Sequence, residues 1–130
     1  MDVKNKRVVV TGAASGIGKA LCEAFHQAEA QSVIAVDMNF DGAQATANSV
    51  DGIAVQANVG NEKDIINVIE KADEHVGGTD IFCSNAGIGG VPGFFEVEAS
   101  DWQNIWDVNV QSHIFAAKHV LPQMIERGEG

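Results

Sequence analysis

Short apolar runs rich in valine and isoleucine alternate along the chain with longer segments in which apolar residues recur every three or four positions. The apolar runs occupy residues 7–10, 32–36, 53–57 and 80–83 and predict buried β-strands. The segments between them predict three helices: one from residue 19 onward, a short alanine-rich one over 41–49, and one that contains 65–76. Such alternation predicts an α/β fold built on a doubly wound parallel sheet, with the strand order 3-2-1-4.

Two of the predicted helices carry a clear apolar face. In the first helix this face consists of Ile17, Ala20, Leu21, Ala24, Phe25 and Ala28, and in the third of Ile65, Val68, Ile69, Ala72 and Val76. Both sets follow the 3.6-residue period of an amphipathic helix, so these residues are expected to pack on the sheet.

A longer helix is predicted from Ser100-Asp101 through Trp102 to about Arg127, with a bend expected at Pro122. Apolar residues cover most of its circumference, which is typical of a helix that is buried on more than one side. The sheet accounts for one side. The other is covered either by a partner subunit, which would make the protein a homo-oligomer through the 102–127 helix, or by another part of the same protein.

The turn after the first strand contains three glycines, Gly12, Gly16 and Gly18, within Thr11-Gly-Ala-Ala-Ser-Gly-Ile-Gly. Because a helix follows directly, the turn leaves free backbone N–H groups and the positive end of a helix dipole at one place. This arrangement favours a phosphate or diphosphate. Asp37 ends the second strand 19 residues after Gly18 (37 − 18). This spacing indicates an acid that accepts hydrogen bonds from an adenosine ribose.

Asp37 would repel a 2′-phosphate, and neither Ser15 nor Met38 supplies a positive charge for one. The sequence therefore favours NAD over NADP as the cofactor. The alternative interpretation is that Asp37 only caps the next helix. In a sheet of this order, ligands bind beyond the carboxyl ends of the strands, where Asn58 and Asn85 are also expected.

Composition excludes several partners. A net charge of −10 argues against nucleic acid or an anionic membrane surface, because both need a positive footprint. No apolar run reaches membrane-spanning length, and residues 1–5 contain no apolar leader core, so a cytoplasmic protein with one domain over 1–130 is expected. Cys22 and Cys83 are interpreted as reduced thiols.

The motifs Thr11-Gly12-x-x-x-Gly16-Ile17-Gly18, Asp37, Asn58-Val59, Asn85-Ala86-Gly87 and Asn109, in this order, resemble the pattern of short-chain dehydrogenases/reductases. The resemblance implies a Rossmann-type fold and hydride transfer between a nicotinamide and a small alcohol or carbonyl substrate. The cofactor-binding residues it implies are Gly12, Ser15, Gly16, Ile17, Gly18, Asp37, Met38, Asn58, Val59, Asn85, Ala86 and Gly87.

Within this set the resemblance implies that Asn58-Val59 contacts the adenine, where the family more often has Asp. It also implies that Asn85-Ala86-Gly87 lies along the cofactor. Asn109 resembles the helix asparagine that supports a proton relay, a supporting role in catalysis. The alternative for Asn109 is a side chain bonded to a local carbonyl.

In the family, the catalytic serine, tyrosine and lysine follow the helix that carries the asparagine corresponding to Asn109. This sequence, in contrast, contains no tyrosine. We therefore expect the cofactor half of an enzyme, truncated before the Tyr-x-x-x-Lys segment, without its C-terminal strands and inactive alone. The alternative is a non-catalytic dinucleotide-binding or protein-interaction module. The histidines at 26, 75, 113 and 119 are scattered, so no metal site is expected. Ser84 is expected to have no base beside it.

Overall fold

The computed structural model describes residues 2–90, 93 and 95–130. Its strands are β1 (Arg7–Thr11), β2 (Ser32–Asp37), β3 (Ile53–Gln56) and β4 (Ile81–Cys83). They form one parallel sheet in the order β3-β2-β1-β4, which confirms the predicted topology. In the register of this sheet, Val9 of β1 lies opposite Ile34 of β2 and Phe82 of β4.

The helices are α1 (Gly16–Gln27), α2 (Phe40–Ser49), α3 (Glu62–Val76), α4 (Ala99–Trp106) and α5 (Ser112–Arg127), with a π-helical segment at Asp107–Gln111. Each sheet face has its own hydrophobic core because neighbouring strand residues point to opposite faces. On one face, Val8 and Val10 pack with Cys22 of α1 and Ala47 of α2. On the other face, Val9 packs with residues of α3, including Val68. The sheet is therefore covered by α1 and α2 on one side and by α3 on the other.

The predicted apolar face of α1 is correct in part. Leu21 and Phe25 pack against the core of the sheet, whereas the other predicted residues are exposed. Gly18 and Cys22 are its buried residues, whereas Ile17 is 73% exposed. The reason is the closeness of Gly18 to the preceding turn: a Cβ on this residue would lie 2.0 Å from the Gly12 carbonyl oxygen. That contact turns the 18–22 face of α1 inward and leaves Ile17 in solvent. The face predicted for α3 is correct, with Ile65, Val68, Ile69 and Ala72 buried.

The predicted helix over 102–127 is not a single α-helix. α4 begins at Ala99, and the π-helical segment separates α4 from α5. Val108 and Val120 pack against Ile65 and Ile69 of α3. In the part of the chain that the structure describes, α4 and α5 are not buried on more than one side, because their opposite side is exposed. Its large exposed residues are Trp102, Trp106, Ile114, Leu121 and Ile125.

An ion pair joins β1 to the start of β4 at the amino end of the sheet. The carboxylate of Asp80, which is 4% exposed, accepts hydrogen bonds from the Arg7 guanidinium at 2.8 and 2.5 Å and from the Arg7 backbone N–H at 2.9 Å. The Arg7 guanidinium lowers the pKa of Asp80 from its ordinary value of 3.8 to about 2. This pair therefore holds β1 and β4 together at their amino ends, away from the carboxyl ends of the strands.

Candidate functional site

A cleft with a volume of about 130 Å³ lies beyond the carboxyl ends of the strands, open to solvent on one side. Its lining residues are Gly12, Asp37, Met38, Ala57, Asn58, Val59, Ala86, Gly87, Ile88 and Val108. The structure thus brings seven of the sequence-predicted cofactor residues into one cleft. Of the other five, Asn85 and Gly18 pack behind Gly12, and Ser15, Gly16 and Ile17 are exposed at the start of α1.

The turn that enters α1 (residues 11–18, the glycine turn) requires its glycines for two different reasons. Gly12 has a φ of +72° and Gly16 a φ of +54°, in the left-handed region that favours glycine. Gly18 instead leaves room for the Gly12 carbonyl. Ser15 precedes α1 and its side chain caps no helix amide. The first-turn amides of α1 therefore remain donors for an anion.

Thr11 connects the glycine turn to the segment after β4. Its Oγ1 donates to the Cys83 carbonyl at 3.2 Å and accepts from the backbone amides of Asn85 and Ala86 at 3.0 and 3.1 Å. In return, the Asn85 side-chain amide donates to the Thr11 carbonyl at 2.9 Å. These bonds bring Ala86 beside Gly12. Thr11 is not among the site residues predicted from the sequence, although its place at the end of β1 is a usable signal.

The carboxylate of Asp37 is held by two backbone amides at the edge of the cleft. Its Oδ2 accepts from the Ala14 N–H at 3.0 Å and its Oδ1 from the Asn39 N–H at 2.9 Å. The interpretation of Asp37 as the cap of the next helix is wrong, because Asn39 is the N-cap of α2 and accepts from Gly42. Asp37 is therefore fixed at the mouth of the glycine turn.

Asn58 forms part of the cleft wall after β3. Its backbone N–H donates to the Asp64 carboxylate at 2.9 Å, and its side-chain Oδ1 accepts from the Gly60 N–H at 3.0 Å. Since Oδ1 has this partner, the side-chain NH₂ is the donor that the Asn58 amide offers to a ligand. Val59 beside it is 6% exposed and packs into the core.

Asn109 lies in the π-helical segment and reaches the loop after β4. Its Oδ1 accepts from the Ile88 N–H and its Nδ2 donates to the Ile88 carbonyl, both at 2.8 Å. The alternative of a bond to a local carbonyl is wrong, because Ile88 is 21 residues away. Asn109 therefore holds the cleft-lining loop and does not project freely into the cleft.

Comparison with known proteins agrees with this arrangement. The family model described as short chain dehydrogenase matches residues 6–130. The chain belongs to the short-chain dehydrogenase/reductase family. It is 33% identical to glucose 1-dehydrogenase 2 of Bacillus subtilis (strain 168), with 96% of this chain and 51% of that protein covered. It is 35% identical to tropinone reductase-like 1 of Erythroxylum coca, with 98% of this chain and 49% of that protein covered.

Solved structures of the short-chain dehydrogenase/reductase family share the fold. A short-chain dehydrogenase/reductase (glucose/ribitol dehydrogenase) from Brucella melitensis matches with a TM-score of 0.86 at 28% identity, over 94% of this chain and 53% of the other. One from Mycobacterium marinum matches with a TM-score of 0.89 at 28% identity, over 99% and 54%. The chain thus spans about half the length of the relatives it matches. Members of this family are oxidoreductases that use a nicotinamide cofactor, NAD or NADP, on small-molecule substrates.

Two side chains of this short-chain dehydrogenase/reductase chain form a contact that the sequence does not predict. The Nδ1 of His113 lies 2.6 Å from the Oγ of Ser84, so the expectation that Ser84 has no base beside it is wrong. The two residues are 29 positions apart, and the contact depends on how α5 lies against β4. They line a groove beside β4, with Phe82 and Leu121, outside the cleft.

Across the described ranges, no group of three or more His, Cys, Asp or Glu residues is arranged to hold a metal ion. None of the helices in those ranges is long and apolar enough to cross a membrane.

Proposed function

We propose that this chain is a single dinucleotide-binding domain of an NAD-dependent short-chain dehydrogenase, which transfers hydride between the nicotinamide and an alcohol or carbonyl. The position of Asp37 carries this proposal. Its carboxylate stands at the carboxyl end of β2, is held by the Ala14 and Asn39 amides, and borders the same cleft as Gly12.

The fit to a dinucleotide rests on donors and free space. A Cβ at Gly12 would lie 2.9 Å from the Ala86 Cα, so the backbone around the cleft approaches too closely for a side chain. The uncapped amides at the start of α1 are donors for a diphosphate. The exposed side chain of Met38 and the NH₂ of Asn58 flank Asp37 on the side of β3, where they form an apolar wall and a donor for the base.

The preference for NAD follows from charge. Among the described residues, the cleft lining contains one carboxylate, that of Asp37, and no lysine or arginine. A 2′-phosphate on the ribose would lie against this carboxylate without a compensating cation, whereas a free diol donates hydrogen bonds to it. The net charge of −10 adds to the penalty for a second anionic group.

For catalysis, Asn109 is proposed as a supporting residue that holds the loop at Ile88 beside the reacting end of the cofactor. The bound nicotinamide supplies the hydride chemistry. A tyrosine and a lysine of the family's kind are expected elsewhere in the protein, because the 130 residues contain no tyrosine. We also propose a cytoplasmic location, in agreement with the free thiols of Cys22 and Cys83.

A homo-oligomer through α4 and α5 is part of the proposal. Trp102, Ile114 and Ile125 are 56%, 58% and 76% exposed, a degree of apolar exposure that is typical of an interaction surface. The same surface favours the second candidate function, a non-catalytic dinucleotide-binding or interaction module.

Calorimetric titration of the whole protein with NADH and with NADPH tests the cofactor proposal. We expect NADH to bind at least about 10-fold more tightly, and Asp37→Ser to remove most of this difference. Asp41→Ser, an exposed carboxylate in the first turn of α2, is the matched control and should keep the preference. Tighter binding of NADPH by the wild type would contradict the proposal. Binding of NADH without oxidation of any alcohol by added NAD would favour the module.

A further inference from the structure

The peptide unit between Ala13 and Ala14 is held by side chains at both of its polar ends. The Oγ1 of Thr46, on α2, donates to the Ala13 carbonyl oxygen at 2.8 Å. The Oδ2 of Asp37 accepts from the Ala14 N–H at 3.0 Å. Thr46 is 1% exposed and Ala13 is fully buried, so water does not compete for the first of these bonds.

A peptide unit is planar, and its C=O and N–H point in opposite directions. A hydrogen bond on the carbonyl oxygen therefore fixes the direction of the N–H in the same plane. It also polarises the amide, which strengthens the bond that the N–H donates. Thr46 thus acts on the Asp37 carboxylate through the peptide, without touching it.

The close approach of α2 makes this contact possible. A Cβ on Gly42 would lie 2.6 Å from the Ala14 Cβ, so the first turn of α2 rests directly on the glycine turn. Thr46 is one helical turn further along α2, which places its short side chain at the Ala13 carbonyl. Asn39 holds the second carboxylate oxygen of Asp37 from the start of the same helix.

From this arrangement we propose that Thr46 is a positioning residue for ribose recognition: its hydroxyl sets the Ala13–Ala14 peptide so that the Asp37 carboxylate is oriented to accept from the ribose diol. The inference rests on the proposed binding of NAD. Thr46 itself is not among the residues that line the cleft, so it makes no contact with the cofactor.

The test compares Thr46→Val, which removes the hydroxyl and keeps the shape, with Thr46→Ser, which keeps the hydroxyl. In the whole protein we expect Thr46→Val to weaken NADH binding about 5-fold to 10-fold, as for loss of one buried hydrogen bond. NADPH binding should change less than about 2-fold, so the preference falls, and Thr46→Ser should lie within about 2-fold of the wild type for both.

Ser49→Ala is the matched control, because the Ser49 hydroxyl donates to the Thr46 carbonyl within the same helix at 2.7 Å. It should leave both dissociation constants within about 2-fold of the wild type. If the Thr46→Val protein does not unfold in one cooperative thermal transition, the Thr46→Ala protein is used in its place. Alanine also removes the hydroxyl, and it does not introduce the methyl group that valine puts in the hydroxyl's position.

A double-mutant cycle separates positioning from general stability. In an Asp37→Ser background, Thr46→Val should change NADH affinity less than about 2-fold, because the group through which it acts is gone. An equal loss in both backgrounds, or an unchanged preference for NADH over NADPH, would overturn the inference while leaving the cofactor proposal intact. Failure of the wild type to bind either dinucleotide would instead reject the cofactor proposal, and this inference with it.

Discussion

Asn109 and Ile88 exchange two hydrogen bonds of 2.8 Å, one in each direction, between a side-chain amide and a backbone. The pair joins the π-helical segment to the loop that carries Asn85, Ala86 and Gly87 along the cleft. Because a carboxylate lacks the donor and alanine lacks both groups, only an amide side chain of this length satisfies both backbone groups.

We therefore expect Asn109→Asp to lower the free energy of unfolding by about 0.5–1.5 kcal/mol at neutral pH, since it removes the hydrogen bond to the solvent-exposed Ile88 carbonyl. Oxidoreductase activity of the whole protein should fall as well, because the cleft loop is no longer held. Urea denaturation and initial-rate kinetics measure the two effects. The control is Asn104→Asp, an exposed position on α4, which should change stability by less than about 0.5 kcal/mol.

The glycines of the turn should differ sharply in their tolerance of alanine. Gly18→Ala places a Cβ 2.0 Å from the Gly12 carbonyl oxygen, a backbone clash that must move the turn, so we expect dinucleotide binding to be lost. Gly16→Ala meets no atom within 4 Å and suffers only from its positive φ, at a cost of about 1–2 kcal/mol. Dissociation constants for NADH, with circular dichroism as the check on folding, distinguish the two. Equal tolerance of both substitutions would contradict this account of the turn.

The ionisation of Asp80 should make the free energy of unfolding depend on pH in the acid range. Its pKa in the folded protein is about 2, against an ordinary value of 3.8, because Arg7 favours the charged carboxylate. A depressed pKa contributes stability that is fully present above the unfolded value and is lost as the pH falls through the folded value. Between pH 4 and 2 the wild type should therefore lose about 2 kcal/mol more than Asp80→Asn.

The measurement is the free energy of unfolding at several pH values for both proteins. Asp41→Asn, at an exposed position, should retain the acid dependence of the wild type. Parallel curves for the wild type and Asp80→Asn would show that the Arg7–Asp80 pair does not contribute as described.

The exposed side of α5 should govern self-association. Ile114, Leu121 and Ile125 recur at intervals of seven and four residues and so lie on one face. A glutamate at position 121 would place an unpaired charge in an apolar interface, so Leu121→Glu should shift the whole protein towards monomer in sedimentation velocity. Glu126→Gln changes a neighbouring exposed residue and should sediment as the wild type does. A wild type that is already monomeric would refute the proposed interface.

Much of the fold and the position of the site could be predicted from the sequence, because local patterns determine them. Valine-rich runs alternate with amphipathic helical segments, and a parallel sheet then places Asp37, Asn58 and Asn85 at one edge. Sheet order and cleft location follow from this without any knowledge of side-chain contacts.

The remaining features depend on how each helix is rotated about its axis, which periodicity alone does not fix. The inward face of α1 is set by the contact between Gly18 and Gly12, and the Ser84–His113 contact by the placement of α5. The bond from Thr46 to the Ala13 carbonyl joins residues 33 positions apart. Each of these is a tertiary contact that local periodicity does not encode.

The π-helical segment at Asp107–Gln111 accommodates one more residue than an α-helical turn would. Rewinding the same residues as a regular α-helix would rotate everything before the segment by about 100° relative to α5, because the extra residue would then take one full α-helical step. Trp102 and Trp106 would then leave the side of the helices that carries Leu121 and Ile125. The Asn109 amide would also move away from the backbone of Ile88. In this protein the irregularity of one residue keeps the exposed apolar side chains of α4 in phase with those of α5, while Asn109 stays at the cleft loop.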